Sequence, residues 1–182
     1  GLGQGTYDAI GMSLLQCSRT SIINNTIWVN CGSNNTCNGI YVDGGNTNDI
    51  FNNSIYRPKG SASTYGIYIQ SIFNIARIDH NNVWAPTGKY GYLNGDKNDL
   101  STWQTTGWGL NSHDANPGYT KKDSMYTCND TLDNTGKGFD NLLFDFQGDN
   151  RHPSSPDIGA DEFIGSDSSS FSAGEDGLLC KG

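Results

Sequence analysis

At 182 residues the chain has room for one domain with a continuous core, and not for two well-buried ones. Only 34% of residues are hydrophobic and 16% charged, with 24 glycines, nine Tyr, seven Phe and four Trp, a mixture that excludes charge-driven disorder and fits a turn-rich β protein. The net charge of −8, from 11 basic and 19 acidic residues with no basic run, removes the phosphate-neutralising term of nucleic-acid binding, and no apolar stretch approaches the ~18 residues of a membrane span.

The opening residues, GLGQGTYDAIG, carry neither the basic n-region nor the apolar core of a signal peptide, so they read as a mature start or a piece of a longer chain. Gly11-Met12-Ser13-Leu14 then alternates apolar and polar side chains as a half-buried strand does. The pattern returns as Gly39-Ile40-Tyr41-Val42, Gly66-Ile67-Tyr68-Ile69 and Gly91-Tyr92-Leu93, at spacings of 28, 27 and 25. A second register runs Ile22-Ile23-Asn24-Asn25-Thr26-Ile27-Trp28, and recurs from Ile50 to Tyr56 and from Ile78 to Trp84, 28 residues apart both times. Its alignment predicts four columns: Ile22/Ile50/Ile78, Asn25/Asn53/Asn81, Ile27/Ile55/Val83 and Trp28/Tyr56/Trp84. Between the first two units, Cys31 and Cys37 flank a short Gly-Ser-Asn-Asn-Thr loop that a disulfide would close in an oxidising compartment. The odd fifth cysteine leaves one thiol over, and Cys180 in the tail is the candidate.

A unit of this length with at least two short strands cannot bury its apolar face alone and must stack on its neighbours. Parallel stacking puts like residues above like at about 4.8 Å, where Asn side chains bond from unit to unit and Ile and Val fill the interior. The repeat therefore predicts a β-solenoid. After Leu93 the period is lost. Residues 1–110 read as the rungs, 111–164 as a loop-rich closing segment packed on them, and 165–182 as a flexible Gly/Ser/Asp-rich tail. No capping helix precedes the first rung. The open N-terminal rung is thus expected to follow further solenoid or to pair with another copy, head to tail, as a filament would.

The Asn-Asn-Thr-Ile type of rung resembles the parallel β-helix repeat of pectate-lyase-like proteins. The segment Gly148-Asp149-Asn150-Arg151, followed by Pro156-Asp157-Ile158-Gly159-Ala160-Asp161-Glu162, is similar to the ending of bacterial secreted and surface proteins of that kind, with a G-x-x-R element before a P-D-I-G-A-x-E closing motif. The resemblance spans roughly residues 11 to 163. It implies an all-β, right-handed parallel β-helix, here its C-terminal portion with an irregular end, in an extracellular or cell-surface protein. Fold does not fix function.

Arg77-Ile78-Asp79-His80 is similar to an I-D-H element of pectate lyases, where β-elimination uses an Arg or Lys base and calcium. The family's R-x-P-x-x-R element is absent, and Arg57-Pro58-Lys59 has the wrong order. A glycoside hydrolase would need paired carboxylates, for which Asp43, Asp49 and Asp79 are the members available. Asp96 with Asp99, and Asp145 with Asp149, are loop oxygen donors of the kind calcium takes, but solvated turn carboxylates are the favoured reading, and no cofactor is expected unless calcium binds there. Arg151 is expected to pair with Asp157, Asp161 or Glu162 and fix the closing segment.

Exposed aromatics offer a role without catalysis. Trp28, Tyr56 and Trp84 should point outward by alternation, with Tyr41 and Tyr68 at equivalent positions in the other strand. Such a stripe suits the faces of sugars, unless the returning loops cover it. The leading reading is a non-catalytic extracellular module for adhesion, glycan contact or filament structure, with a polysaccharide or cell-surface glycan as partner. The alternative is a polysaccharide lyase or glycoside hydrolase with most of its active site N-terminal to this chain.

Overall fold

The structure, a computed structural model, describes residues 9–31, 36–122, 125–163 and 165. The tail beyond these, with Cys180, lies outside the described residues.

Each unit gives three strands rather than two. The first supplies β1 (Ala9–Leu15), β2 (Ser21–Ile23) and β3 (Thr26–Trp28). The second supplies β4 (Cys37–Asp43), β5 (Asn48–Phe51) and β6 (Ser54–Tyr56), and the third β7 (Tyr65–Ile69), β8 (Ile75–Asp79) and β9 (Asn82–Trp84). The extra break falls inside the Ile-Ile-Asn-Asn-Thr-Ile motif. There Asn24, Asn52 and His80 take φ of 55°, 55° and 53°, a left-handed conformation that Asn and His tolerate better than most side chains. β10 (Lys89–Leu93), β11 (Asp96–Lys97) and a single short helix, α1 (Leu100–Gln104), follow.

The strands divide among three separate sheets. Sheet 1 runs β1-β4-β7-β10-β11, sheet 2 runs β2-β5-β8 and sheet 3 runs β3-β6-β9. Pairing is parallel except for β10 with β11. This corrects the fold read from the sequence. The chain is mostly sheet, but three sheets, an antiparallel strand and a helix do not make a single right-handed β-helix. The left-handed breaks are the physical reason, because each adds one bend per unit and splits the second register into two strands.

The side-chain columns stand where the spacing puts them. Ile22, Ile50 and Ile78 are register partners, as are Ile27, Ile55 and Val83, and all six are buried. Each such side chain contributes about 1.5–3 kcal/mol by leaving water. Glycine lets sheets 1 and 3 approach: a Cβ on Gly39 would strike Ile55 Cγ2, and one on Gly66 would strike Val83 Cγ1. Beside them runs the asparagine column. Asn25 N and Nδ2 both donate to Asn53 Oδ1 (3.1 and 2.9 Å), and Asn53 N and Nδ2 to Asn81 Oδ1 (3.0 and 2.9 Å).

The last rung departs from the sequence alignment by one residue. Gly91 pairs with Ile67, not Gly66, so Tyr92 lies beside Tyr68. Gly91 thereby takes a core position, and Trp103 of α1, fully buried, packs where its side chain would be. At this end the strand edges are occupied: Asn81 N donates to Ser112 Oγ (3.0 Å), Val83 N to His113 O (3.0 Å) and Gly109 N to Ile78 O (3.0 Å). At the opposite end β1, β2 and β3 are the outermost strands, and Asn25 Oδ1 receives no donor among the described residues.

Candidate functional site

The returning chain decides which surfaces stay open. It follows sheet 3, where Asn82 trades two hydrogen bonds with the Ala115 peptide (2.9 and 3.0 Å) and Tyr119 O–H donates to Ser54 Oγ (2.9 Å). Asn52 likewise holds the Lys137 peptide (2.7 and 2.8 Å), and Ala160 N donates to Thr26 Oγ1 (3.0 Å). Arg151, buried, locks the closing segment by donating to Glu162 (3.2 Å) and to the carbonyls of Gly159 and Ala160 (3.1 and 2.6 Å). The ion pair expected of Arg151 is thus with Glu162. Asp157 instead accepts from the backbone of Asn134 and Phe163 (2.7 and 2.6 Å).

The lyase-like residues are spent on structure. Arg77 is clamped by both oxygens of Asp49 (3.0 and 2.6 Å), and the hydrogen bond to that carboxylate raises its pKa, opposite to what a base needs. Asp79 accepts from Asn111 N and Nδ2 (both 2.8 Å) and from His80 N (2.9 Å), which fastens the 109–113 turn. His80 is the left-handed turn residue in the place of Asn24 and Asn52, and burial lowers its pKa while Asp79 opposes that. A cleft of about 720 Å³ runs from Met12–Leu14 of β1 along β2 to Phe139, Asn141 and Leu142, but its charged lining is the mutually neutralised Asp49–Arg77 pair.

The calcium candidates are also engaged. Asp96 accepts from Tyr65 O–H (2.8 Å) and pairs with Lys89 (3.0 Å), while Asp99 caps α1 through Thr102 N (2.8 Å). Asp145 Oδ1 accepts three backbone N–H groups, from Gln147, Gly148 and Asp149, and Oδ2 accepts Glu162 N. Asp149 joins that turn through its carbonyl, which accepts Asp145 N (2.9 Å). Among the described residues no group of three His, Cys, Asp or Glu side chains is placed to hold a metal ion.

The aromatic candidates fall into two sets on different sheets. In sheet 3, Trp28 meets Tyr56 edge to face (4.8 Å between centroids), and Tyr56 meets the buried Tyr119 of the returning chain (5.5 Å). Trp84 follows Tyr56 in register. The returning chain thus meets this column at Tyr56, and Trp28 and Trp84 are half-buried beside it.

In sheet 1 the tyrosines stack. Tyr41 and Tyr68 lie 5.0 Å apart with planes 13° from parallel, and Tyr68 and Tyr92 4.6 Å apart at 11°. Tyr65 packs its edge against both Tyr68 and Tyr92, and Lys89 lies over the Tyr65 ring. Burial, reinforced by the Asp96 hydrogen bond, pushes the Tyr65 hydroxyl up to about 12. Burial also raises Tyr41 and Tyr68, with Asp43 adding to the first and Tyr92 to the second. These phenols therefore stay neutral donors at physiological pH. All four rings are half-buried, and among the described residues their aromatic contacts are with one another alone. Tyr92 and Tyr65 escaped the sequence reading. The signal for Tyr92 was its place in the repeat, hidden by the one-residue slip at Gly91.

No family model matches the chain, and neither does any curated protein or solved structure at a significant level. Cys31 and Cys37 are disulfide-bonded as the spacing predicts, Cys128 is also in a disulfide, and Cys17 is the free thiol among the described residues. No helix among the described residues is long and apolar enough to cross a membrane.

Proposed function

We propose that the chain is a non-catalytic, extracellular module of a secreted or cell-surface protein that contacts a polysaccharide or cell-surface glycan along its tyrosine column. The observation that carries this reading is the open stack of Tyr41, Tyr68 and Tyr92, flanked by Asp43, Lys89 and Asp96. Such a strip offers apolar ring edges, phenol donors and carboxylate acceptors in a line, a mixture that suits sugar chains. Because the rings cover one another's faces, the column presents edges and hydroxyls along its length. An extended, unbranched glycan lying along the stacking direction fits that geometry. The disulfides favour an oxidising compartment. The engagement of Arg77, Asp79 and His80 in structural bonds favours binding over turnover.

The test is calorimetric titration of the full chain with neutral and acidic oligosaccharides, alongside an assay for unsaturated uronate with and without calcium. Saturable binding that Tyr68→Ala weakens, with no product released, is expected. Catalytic release of unsaturated product, lost in Asp79→Ala, would overturn the reading.

A further inference from the structure

The tyrosine column stops one rung short of the end of sheet 1. Register places Ser13 of β1 beside Tyr41, Tyr41 beside Tyr68, and Tyr68 beside Tyr92. Three rungs thus carry a ring and the outermost carries a hydroxymethyl group. Ser13 is exposed, and Tyr68 is the one aromatic ring in contact with Tyr41 among the described residues. Among the described residues, therefore, no ring covers the face of Tyr41 on the Ser13 side, where the column would continue.

The surroundings of that position select what can occupy it. Leu15, two residues along the same strand and so on the same face as Ser13, is 60% exposed and borders it with apolar surface. Asp43 is the register partner of Leu15; its Oδ2 accepts the Tyr41 hydroxyl at 3.4 Å. The other oxygen receives no donor among the described residues. A ligand placed there meets an aromatic face, an aliphatic side wall, a serine hydroxyl and a carboxyl acceptor.

We infer that the space over Ser13 is a sugar subsite in which a neutral pyranose continues the tyrosine column, its C–H face on Tyr41 and its hydroxyls donating to Asp43. This rests on the glycan reading above and deepens it. A bare aromatic ring would satisfy Tyr41 but bring Asp43 no donor. A uronate would set its carboxylate against Asp43 on a chain of net charge −8. A neutral sugar satisfies both the ring and the acceptor.

Ser13→Tyr tests the subsite because it fills that position with the residue that the column already uses. Circular dichroism and thermal melting establish that the variant folds, and titration with cello-, xylo-, manno- and malto-hexaose, with oligogalacturonate as the acidic comparator, reads binding. The expected result is wild-type binding to a neutral hexaose, weakened about tenfold in Ser13→Tyr, the loss of roughly one ring stack with its hydrogen bond. Asp43→Asn, which leaves that position open, should weaken it by a smaller factor, and this variant decides the matter if Ser13→Tyr does not fold. Unchanged binding in both variants, with binding lost in Tyr68→Ala, would sink the subsite and leave the glycan reading standing. Preference for oligogalacturonate would sink the ligand class. No wild-type binding to any of these sugars would sink both readings.

Discussion

Sheet 3 carries an aromatic residue in every unit and sheet 1 carries one in every rung but the first, yet the returning chain brings a ring against the sheet 3 column alone among the described residues. In sheet 3 each aromatic follows a strand that begins with Thr26, Ser54 or Asn82, and each of these bonds the returning chain. In sheet 1 the tyrosines are flanked instead by Asp43 and by the Lys89–Asp96 pair, which bond the rings and one another. An aromatic repeat therefore does not by itself mark a binding face. The small polar column beside it decides whether the chain's own backbone or an outside ligand completes the surface.

The comparison breaks first at Arg151. Arg151→Leu removes the buried cation from Glu162 and frees two carbonyls, so it should cost about 3–5 kcal/mol in urea unfolding. The damage should show at Trp28 and Tyr56, by a red shift of tryptophan emission, while the tyrosine face persists. Asn53→Leu, in the column at the bend between sheets 2 and 3, orphans Asn25 N and the Ile22 carbonyl. It should cost about 1–3 kcal/mol for each group left unpaired, and hydrogen exchange should quicken at Asn25.

Asp161 sharpens the comparison through pH. Burial, and then Asp145, raises its carboxyl to about 7, against an unfolded value of about 3.9. The folded state thus holds a proton that the unfolded chain has released. Its contribution to stability is full below about pH 4 and is lost as pH rises toward about 7. Thermal melts should show this slope, and Asp161→Asn should flatten it. The smallest effect belongs to Arg77→Ala: an exposed ion pair contributes under about 1 kcal/mol, and glycan binding should not change.

Much of the interior was legible in the sequence, because a column of like residues needs like spacing. Ile22, Ile50 and Ile78, and Asn25, Asn53 and Asn81, are partners for that reason. The number of strands per unit was not, since an Asn-Asn pair reads the same whether its first member is extended or left-handed. The calcium and lyase candidates make structural bonds for a related cause. Asp79, Asp99 and Asp145 each serve a backbone turn, and a carboxylate in a turn has the same sequence signature as one in a site. The tyrosine column was half legible: Tyr41 and Tyr68 stood out by spacing, and Tyr92 was masked by the exchange of side chain between Gly91 and Trp103.

Hydroxyl-radical footprinting of the full chain, with and without a saturating neutral hexaose, addresses the division of the two faces most directly. Oxidation of Tyr41, Tyr68 and Tyr92 should fall on binding, while Trp28, Tyr56 and Trp84 keep their rates. Protection of Trp28 and Trp84, with the three tyrosines unchanged, would contradict it.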